Sequence, residues 1–147
     1  MNPDGGVPKN PVECAFLRKG GVEGDRQNDL KHHGGPNRAV CLFSSEIIEA
    51  LRKEGHPIDA GSVGENLTIS GLDWDVLQPG SQLNIGGALI EVTGPAPPCR
   101  TIQKSFVEGN YSRISEKKNS GWSRWYARVL VEAQVHPKDA VIIRECQ

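Results

Sequence analysis

The amino-acid sequence predicts a mainly β fold with a few short helices, arranged as a single barrel-like domain. Many short runs of apolar and β-branched residues alternate with turns rich in glycine and proline, which is typical of β-rich domains. Only two or three short segments have the pattern of a helix. The length of 147 residues suits one hydrophobic core and is too short for two ordinary domains. We therefore predict one domain over residues 1–147.

The N-terminal part of the chain is predicted to hold two strands separated by a long loop. Residues 12–18 have a strand pattern that ends at Gly20-Gly21. Residues 22–36 are polar and rich in glycine, which predicts a loop. Residues 39–43 are continuously apolar and predict a buried strand.

One amphipathic helix is predicted directly after this strand. Ser44 and Ser45 can cap its start, and Glu46 and Glu49 lie near its positive end. It is expected to end between residues 52 and 54, because Gly55 follows. Its apolar stripe consists of Ile47, Ile48 and Leu51.

The remaining chain is predicted to be mainly β. A short strand at 65–69 precedes a turn at 78–81, and strands at 82–85 and 88–92 flank Gly86-Gly87, a two-residue linker of the kind that closes hairpins.

The C-terminal third is predicted to hold a short helix and two strands. The helix covers 111–118, a long strand follows at 125–135, and a turn at 136–139 leads into a last strand at 141–144. Large aromatic side chains are expected in the core or at its rim. These are Trp74, Trp122 and Trp125.

Composition excludes several classes of function. The formal net charge is -1, whereas a general nucleic-acid or membrane-surface binder needs a basic excess. No apolar stretch has membrane-spanning length and no signal-like segment begins the chain, so a cytoplasmic protein is expected. The cysteines are widely spaced and are interpreted as reduced thiols. Cys14 and Cys41 lie within strand patterns and are predicted core residues, whereas Cys146 is almost terminal.

Cys99 is the most informative single residue. It ends a run from Gly94 to Cys99 that contains three prolines, which fix φ and remove backbone donors, so this elbow is expected to resist both helix and sheet pairing. Residues 100–106 are a candidate helix whose N-terminal dipole, with Arg100, favours a thiolate. The alternative is a small buried apolar residue, the commonest role of a free cysteine.

The loop at 22–36 and its C-terminal flank are a candidate anion site. Arginine binds phosphate or carboxylate oxygens in pairs, and glycine lets backbone amides approach a ligand closely. An exposed turn with solvated charges is the alternative interpretation. The candidate residues are Arg26, Lys31, His33, Gly34 and Arg38.

The histidines of the sequence give little support to a metal site or to a cysteine hydrolase. Adjacent His32 and His33 rarely bind one ion without further ligands, and an anion contact by one of them suits the pattern better. A hydrolase needs a histidine base beside Cys99, and no histidine lies in a recognisable catalytic frame.

Residues 61–68 are a candidate pocket wall. Glu65, Asn66 and Thr68 offer mixed donors and acceptors at the entrance of a strand, which suits the edge of a heterocycle. Sharp turns alone would also explain the glycines of this segment.

Taken in order, five segments make the sequence resemble the MOSC domains, which are similar to the C-terminal part of molybdenum cofactor sulfurase. The resemblance runs nearly end to end and also includes Pro79-Gly80 and residues 121–124. The segments are Gly5-Gly6-Val7-Pro8-Lys9, Val22-Glu23-Gly24-Asp25-Arg26, His33-Gly34-Gly35-Pro36-Asn37-Arg38-Ala39-Val40, Gly64-Glu65-Asn66-Leu67-Thr68 and Pro95-Ala96-Pro97-Pro98-Cys99.

The resemblance implies a fold like the pyruvate-kinase β-barrel and a bound molybdenum cofactor (molybdopterin). Cys99 matches the family cysteine, which in relatives coordinates molybdenum or is proposed to carry sulfur. The resemblance further suggests that Glu65, Asn66 and Thr68 line the wall of the cofactor pocket. The expected contacts of the cofactor phosphate or pterin are Arg26, Lys31, His33, Gly34 and Arg38.

By the same resemblance, the expected reaction is reduction of N-hydroxylated compounds such as hydroxylamino-purines or amidoximes. Electrons would come from a separate reductase, since the chain has no flavin, haem or iron–sulfur motif, and it has no pyridoxal-phosphate desulfurase domain of its own. A desulfurase that sulfurates the cofactor is a further candidate partner. Two alternatives stay open: a sulfur carrier that uses a Cys99 persulfide, and a non-catalytic anion-binding module. Relatives usually have one more strand before Gly5, so either an unpaired sheet edge or a truncated start is expected.

Overall fold

The larger of two sheets curls into a half-barrel and carries most of the core. A computed structural model of the protein describes residues 11–23 and 36–144. Within these residues the larger sheet has six strands in the order β4-β3-β7-β6-β5-β9. They are β3 (Val40–Ser44), β4 (Leu67–Ile69), β5 (Gln82–Ile85), β6 (Ala88–Ala96), β7 (Arg124–Val131) and β9 (Val141–Arg144).

The smaller sheet has the order β2-β1-β8, with β1 (Ala15–Arg18), β2 (Gly21–Val22) and β8 (Ala133–Val135). The pairs in both sheets are antiparallel except for β3 and β4, which run parallel with Leu42 opposite Leu67. The expectation of a mainly β, barrel-like fold is therefore confirmed, whereas the extent of the domain over 1–147 stays a prediction.

Helical structure is confined to one α-helix and short 3₁₀ segments in the described part of the chain. The α-helix, α1 (Ser45–Lys53), has Ser44 as its N-cap and buries Ile48 and Leu51, as predicted. The 3₁₀ segments are Pro36–Arg38, Trp74–Val76, Arg100–Ser105, Val107–Gly109 and Tyr111–Ile114. The helix predicted at 111–118 is thus shorter than expected. None of these helices has the length and apolar character needed to cross a membrane.

The predicted hairpin forms with Ile85 opposite Ala88 across Gly86-Gly87. Gly86 has a φ of 55° and a Cβ at this position would lie 2.6 Å from Asp139 Oδ2, so only glycine fits without rearrangement. Asp139 in turn accepts a hydrogen bond from the backbone N–H of His136 at 2.8 Å, which stabilises the predicted turn at 136–139.

Two predictions about strands are wrong. The strand predicted at 125–135 is broken at Glu132, where the chain leaves the half-barrel and β8 joins the smaller sheet. The Glu132 carboxylate accepts from the backbone N–H of Lys19 at this break, at 2.8 Å. The proline-rich elbow also pairs further than expected, because β6 continues to Ala96 opposite Arg124.

The pairing of Pro95 has a simple physical reason. The register with β5 ends at Glu91, so the missing N–H of Pro95 costs no ladder bond to β5. An irregularity between Val92 and Gly94 also shifts the register against β7 at this point.

The core lies between the sheets and under α1. Phe43, Leu42, Leu51, Leu83 and Ile90 are fully buried within it. The tryptophan prediction is confirmed, since Trp74 and Trp125 are buried and Trp122 packs against the same cluster. Burial of Cys41 is confirmed, whereas Cys14 is exposed because it precedes the first residue of β1. Cys146 lies outside the described residues.

The N-cap of α1 should contribute measurably to stability. Ser44 Oγ accepts from the backbone N–H of Ile47 at 3.2 Å, whereas the Ser45 hydroxyl donates only to the Glu46 carboxylate. We expect Ser44→Ala to lower the free energy of unfolding by about 1 kcal/mol. Ser45→Ala is the control and should lower it by less than about 0.5 kcal/mol. Urea unfolding of both variants checks this, and equal losses would contradict the capping role.

Candidate functional site

Cys99 lies at the surface, between the end of β6 and the 3₁₀ helix Arg100–Ser105. Its side chain is partly exposed, and its Sγ lies 2.9 Å from the Thr101 hydroxyl oxygen. The thiol is therefore accessible and hydrogen-bonded, unlike a core cysteine. It occupies the N-cap position of the 3₁₀ helix without capping it. The helix has only six residues, so the dipole contribution expected from a longer α-helix is small.

Tyr126 is the buried aromatic residue next to this thiol. It lies on β7 and packs with Cys41 and Ala96 in a small cluster separate from the main core. Burial raises the pKa of Tyr126 to about 12; the neighbouring Cys41 and Cys99 thiols act in the same direction, and Arg124 and Arg38 oppose it. Tyr126 is therefore a neutral phenol at physiological pH.

Arg38 is the described member of the predicted anion-binding set, and it lies beside the same tyrosine. Its guanidinium carbon is 5.4 Å from the centre of the Tyr126 ring, within the range of a cation–π contact. The structure thus places a positive charge against the aromatic ring whose pKa is also affected by the Cys99 thiol. The other members, Arg26, Lys31, His33 and Gly34, lie outside the described residues.

Asn66 is fixed next to Cys41 by two hydrogen bonds. Its Oδ1 accepts from the Cys41 N–H at 2.8 Å, and its own N–H donates to the Cys41 carbonyl at 2.8 Å. Because Cys41 contacts Tyr126, Asn66 is one residue removed from the group around Cys99.

Glu65 is far more buried than a residue of a pocket wall was expected to be. It is 1% exposed, and its Oε2 accepts from the Thr68 hydroxyl at 3.3 Å. Burial raises the pKa of Glu65 to about 7, although hydrogen bonds from the backbone of Gly61 and Glu65 and the charge of Arg124 oppose this. Glu65 Oε1 has no hydrogen-bond partner.

Two concave regions lie near these residues. Glu65, Asn66 and Thr68 line a cavity of about 550 Å³, whereas Arg38 and Tyr126 line another of about 490 Å³. Cys99 is in the lining of neither. The structure therefore places Arg38 against Tyr126, links Asn66 to Tyr126 through Cys41, and lines the other cavity with Glu65, Asn66 and Thr68.

Arg124 is a buried residue that the sequence analysis did not single out. Its side chain is 4% exposed and bonds three backbone carbonyls, those of Val63 at 2.7 Å, Pro97 at 3.1 Å and Ala96 at 3.4 Å. The signal was an arginine at the start of a buried strand, which is rare without a specific set of acceptors.

The site offers one accessible thiol with few other metal-binding groups beside it. Among residues 11–23 and 36–144, no group of three or more His, Cys, Asp or Glu side chains could hold a metal ion. The class defined by fold and site is thus a mainly β half-barrel protein with an accessible cysteine just beyond β6 and an arginine packed against a tyrosine of β7.

The comparison with protein families identifies this class. The MOSC domain model matches residues 29–142, and the chain belongs to the MOSC domain family. It is 33% identical over 134 residues to YflK of Bacillus subtilis (strain 168) and 30% identical over 124 residues to YiiM of Escherichia coli (strain K12). These matches cover 90% and 82% of this chain but only 60% and 54% of the two relatives.

Solved structures show the same fold. The crystal structure of YiiM from Geobacillus stearothermophilus matches with a TM-score of 0.73 and 27% identity, over 95% of this chain and 65% of that one. The crystal structure of YiiM from Escherichia coli matches with a TM-score of 0.70 and 24% identity, over 97% of this chain and 68% of that one.

Proposed function

We propose that this protein binds a molybdenum cofactor with Cys99 as a metal ligand and reduces N-hydroxylated compounds. The observation that carries the proposal is the accessible Cys99 thiol, which lies just beyond β6 at the start of the 3₁₀ helix Arg100–Ser105. Membership of the MOSC family, which is associated with this cofactor, supports it. A cytoplasmic location accords with reduced thiols.

The described residues fit such a cofactor. A metal already chelated by a cofactor needs one further soft ligand, and a cysteine thiolate is such a ligand. Arg38 would bind an anionic group of the cofactor, because its guanidinium offers paired donors. Asn66 offers an amide beside Cys41, held in place by its hydrogen bond to the Cys41 N–H. When bound, the cofactor supplies a two-electron redox centre.

The overall reaction is reductive loss of a hydroxyl group from nitrogen. An N–OH compound takes up two electrons and two protons, the N–O bond breaks, and an amine or amidine and water are formed. A separate reductase supplies the electrons. The chain itself contributes the ligand thiolate, the binding of the cofactor and a surface for the small-molecule substrate.

The first test is the metal and pterin content of the protein purified from a host that makes molybdenum cofactor. We expect molybdenum and pterin near one equivalent per chain and reduction of a hydroxylamino-purine when an electron-donating reductase is added. Folded protein that contains neither molybdenum nor pterin would overturn the proposal.

A sulfur carrier is the second candidate function, and one contact favours it. The Thr101 hydroxyl lies 2.9 Å from Cys99 Sγ, where it can donate to an anionic sulfur. This function predicts a mass increase of one sulfur atom on the Cys99 peptide, without bound molybdenum. A desulfurase would then be the expected partner.

A further inference from the structure

We propose that Arg124 is a positioning residue for Cys99, which holds the elbow bearing the thiol against the loop before Asn66. The inference rests on the proposed role of Cys99 as a ligand. In this role the buried Arg124 fixes the position of the Cys99 thiol.

The two prolines directly before Cys99 can be held by backbone hydrogen bonds only through their carbonyl oxygens. Pro97 and Pro98 have no N–H, so they cannot donate to a neighbouring strand. The pairing with β7 ends at Ala96, three residues before the thiol. Arg124 Nη2 donates to the carbonyls of Pro97 at 3.1 Å and Ala96 at 3.4 Å, the last two acceptors before Pro98.

The same guanidinium also binds the opposite segment. Arg124 Nη1 donates to the Val63 carbonyl at 2.7 Å, and Val63 lies three residues before Asn66. One rigid planar group therefore connects the elbow of Cys99 with the loop that leads into β4. A second connection lies on the other side of the thiol, where the Ser105 hydroxyl donates to Ser62 Oγ at 3.0 Å.

Simple structural packing explains this arginine poorly. A buried guanidinium is costly to desolvate, and no carboxylate lies within 4.0 Å of it in the described part of the chain. Its Nε has no hydrogen-bond partner. An apolar residue could fill the same space but would leave these carbonyls without the donor, so the forked bonds to two segments are what the arginine adds.

Arg124→Met tests this through the reactivity of Cys99. We expect the rate of alkylation of Cys99 by iodoacetamide, followed by peptide mass spectrometry on cofactor-free protein, to rise about tenfold, the factor that matches loss of one charge-assisted hydrogen bond. Arg124→Lys keeps the positive charge and one donor nitrogen but not the planar fork, so it should give a smaller rise in the alkylation rate. In protein from the cofactor-making host, the molybdenum content should fall more in Arg124→Met than in Arg124→Lys.

Arg113→Met is the matched control. Arg113 donates to both carboxylate oxygens of Glu54, at 3.0 Å and 2.9 Å, and stacks on Trp122, but none of these bonds reaches residues 96–99. Its loss should lower stability without changing the alkylation rate of Cys99. Wild-type rates in folded Arg124→Met and Arg124→Lys would overturn the proposal.

Hydrogen exchange of the wild type covers the case in which neither variant folds. The N–H of Ile102 donates to the Cys99 carbonyl at 3.2 Å, and a fixed elbow predicts protection of this amide by at least about tenfold. Exchange at the rate of an open loop would overturn the positioning role. Because alkylation and exchange need no cofactor, their outcome is separate from that of the molybdenum measurement.

Discussion

Cys99→Ser is expected to abolish molybdenum binding while the fold stays intact. A serine hydroxyl is not ionised near neutral pH and is a poor ligand for a metal that prefers thiolate, so the bound metal should fall to background. The thiol is partly exposed, and its hydrogen-bond partner among residues 11–23 and 36–144 is Thr101, so the free energy of unfolding should change by less than about 1 kcal/mol. Metal analysis together with urea unfolding checks both parts.

Cys14→Ser is the control for this variant. Cys14 is also a free thiol at the surface, and its Sγ accepts a hydrogen bond from the Gln134 side chain at 3.1 Å. It should retain the molybdenum and the reductase activity of the wild type. Retention of molybdenum by Cys99→Ser would refute the ligand role, and loss of molybdenum from Cys14→Ser would show that the assay reports general damage to thiols.

The elements that the sequence predicted well are those with local causes. The hairpin at Gly86-Gly87 and the N-cap Ser44 each depend on residues a few positions apart, and both are found where expected. Cys99 was singled out from its own proline-rich context, and its functional role stays a prediction. The pattern of short strands likewise sufficed for the mainly β fold.

The remainder depends on residues distant in sequence. The break at Glu132 is related to Lys19, which is 113 positions away, and the environment of Cys99 depends on Arg124 and Tyr126 from a different strand. The two-residue periodicity of a strand places Arg124 and Tyr126 on one face of β7. No pattern within this segment of the sequence indicates that this face lies next to the elbow before Cys99. The partial separation of Glu65 from Cys99 has the same origin, since it follows from how β4 and β6 are arranged around β3 and β7.

Glu65 is expected to make the free energy of unfolding depend strongly on pH. Burial raises the pKa of Glu65 from 4.5 to about 7 in the folded protein, with Arg124 as the charged group that opposes the shift. The protonated form is therefore favoured by folding. Its stabilising contribution is fully present below pH 4.5, and it is lost as the pH rises through about 7.

Glu65→Gln removes this titration while keeping the shape of the side chain. Between pH 4.5 and pH 8 we expect the free energy of unfolding of the wild type to fall by about 3 kcal/mol relative to that of Glu65→Gln. The difference between the two proteins isolates Glu65, because the other titrating groups are common to both. Urea unfolding at several pH values measures it.

Glu49→Gln makes the same chemical change at an exposed position of α1. We expect its difference from the wild type to stay within about 0.5 kcal/mol over the same pH range, because substitutions at exposed positions have small effects on stability. If the curves of the wild type and Glu65→Gln run parallel from pH 4.5 to pH 8, the buried carboxyl does not take up its proton on folding. If the free energy of unfolding falls over this pH range in the wild type and in Glu49→Gln but not in Glu65→Gln, Glu65 is a buried acid that is protonated in the folded protein below neutral pH.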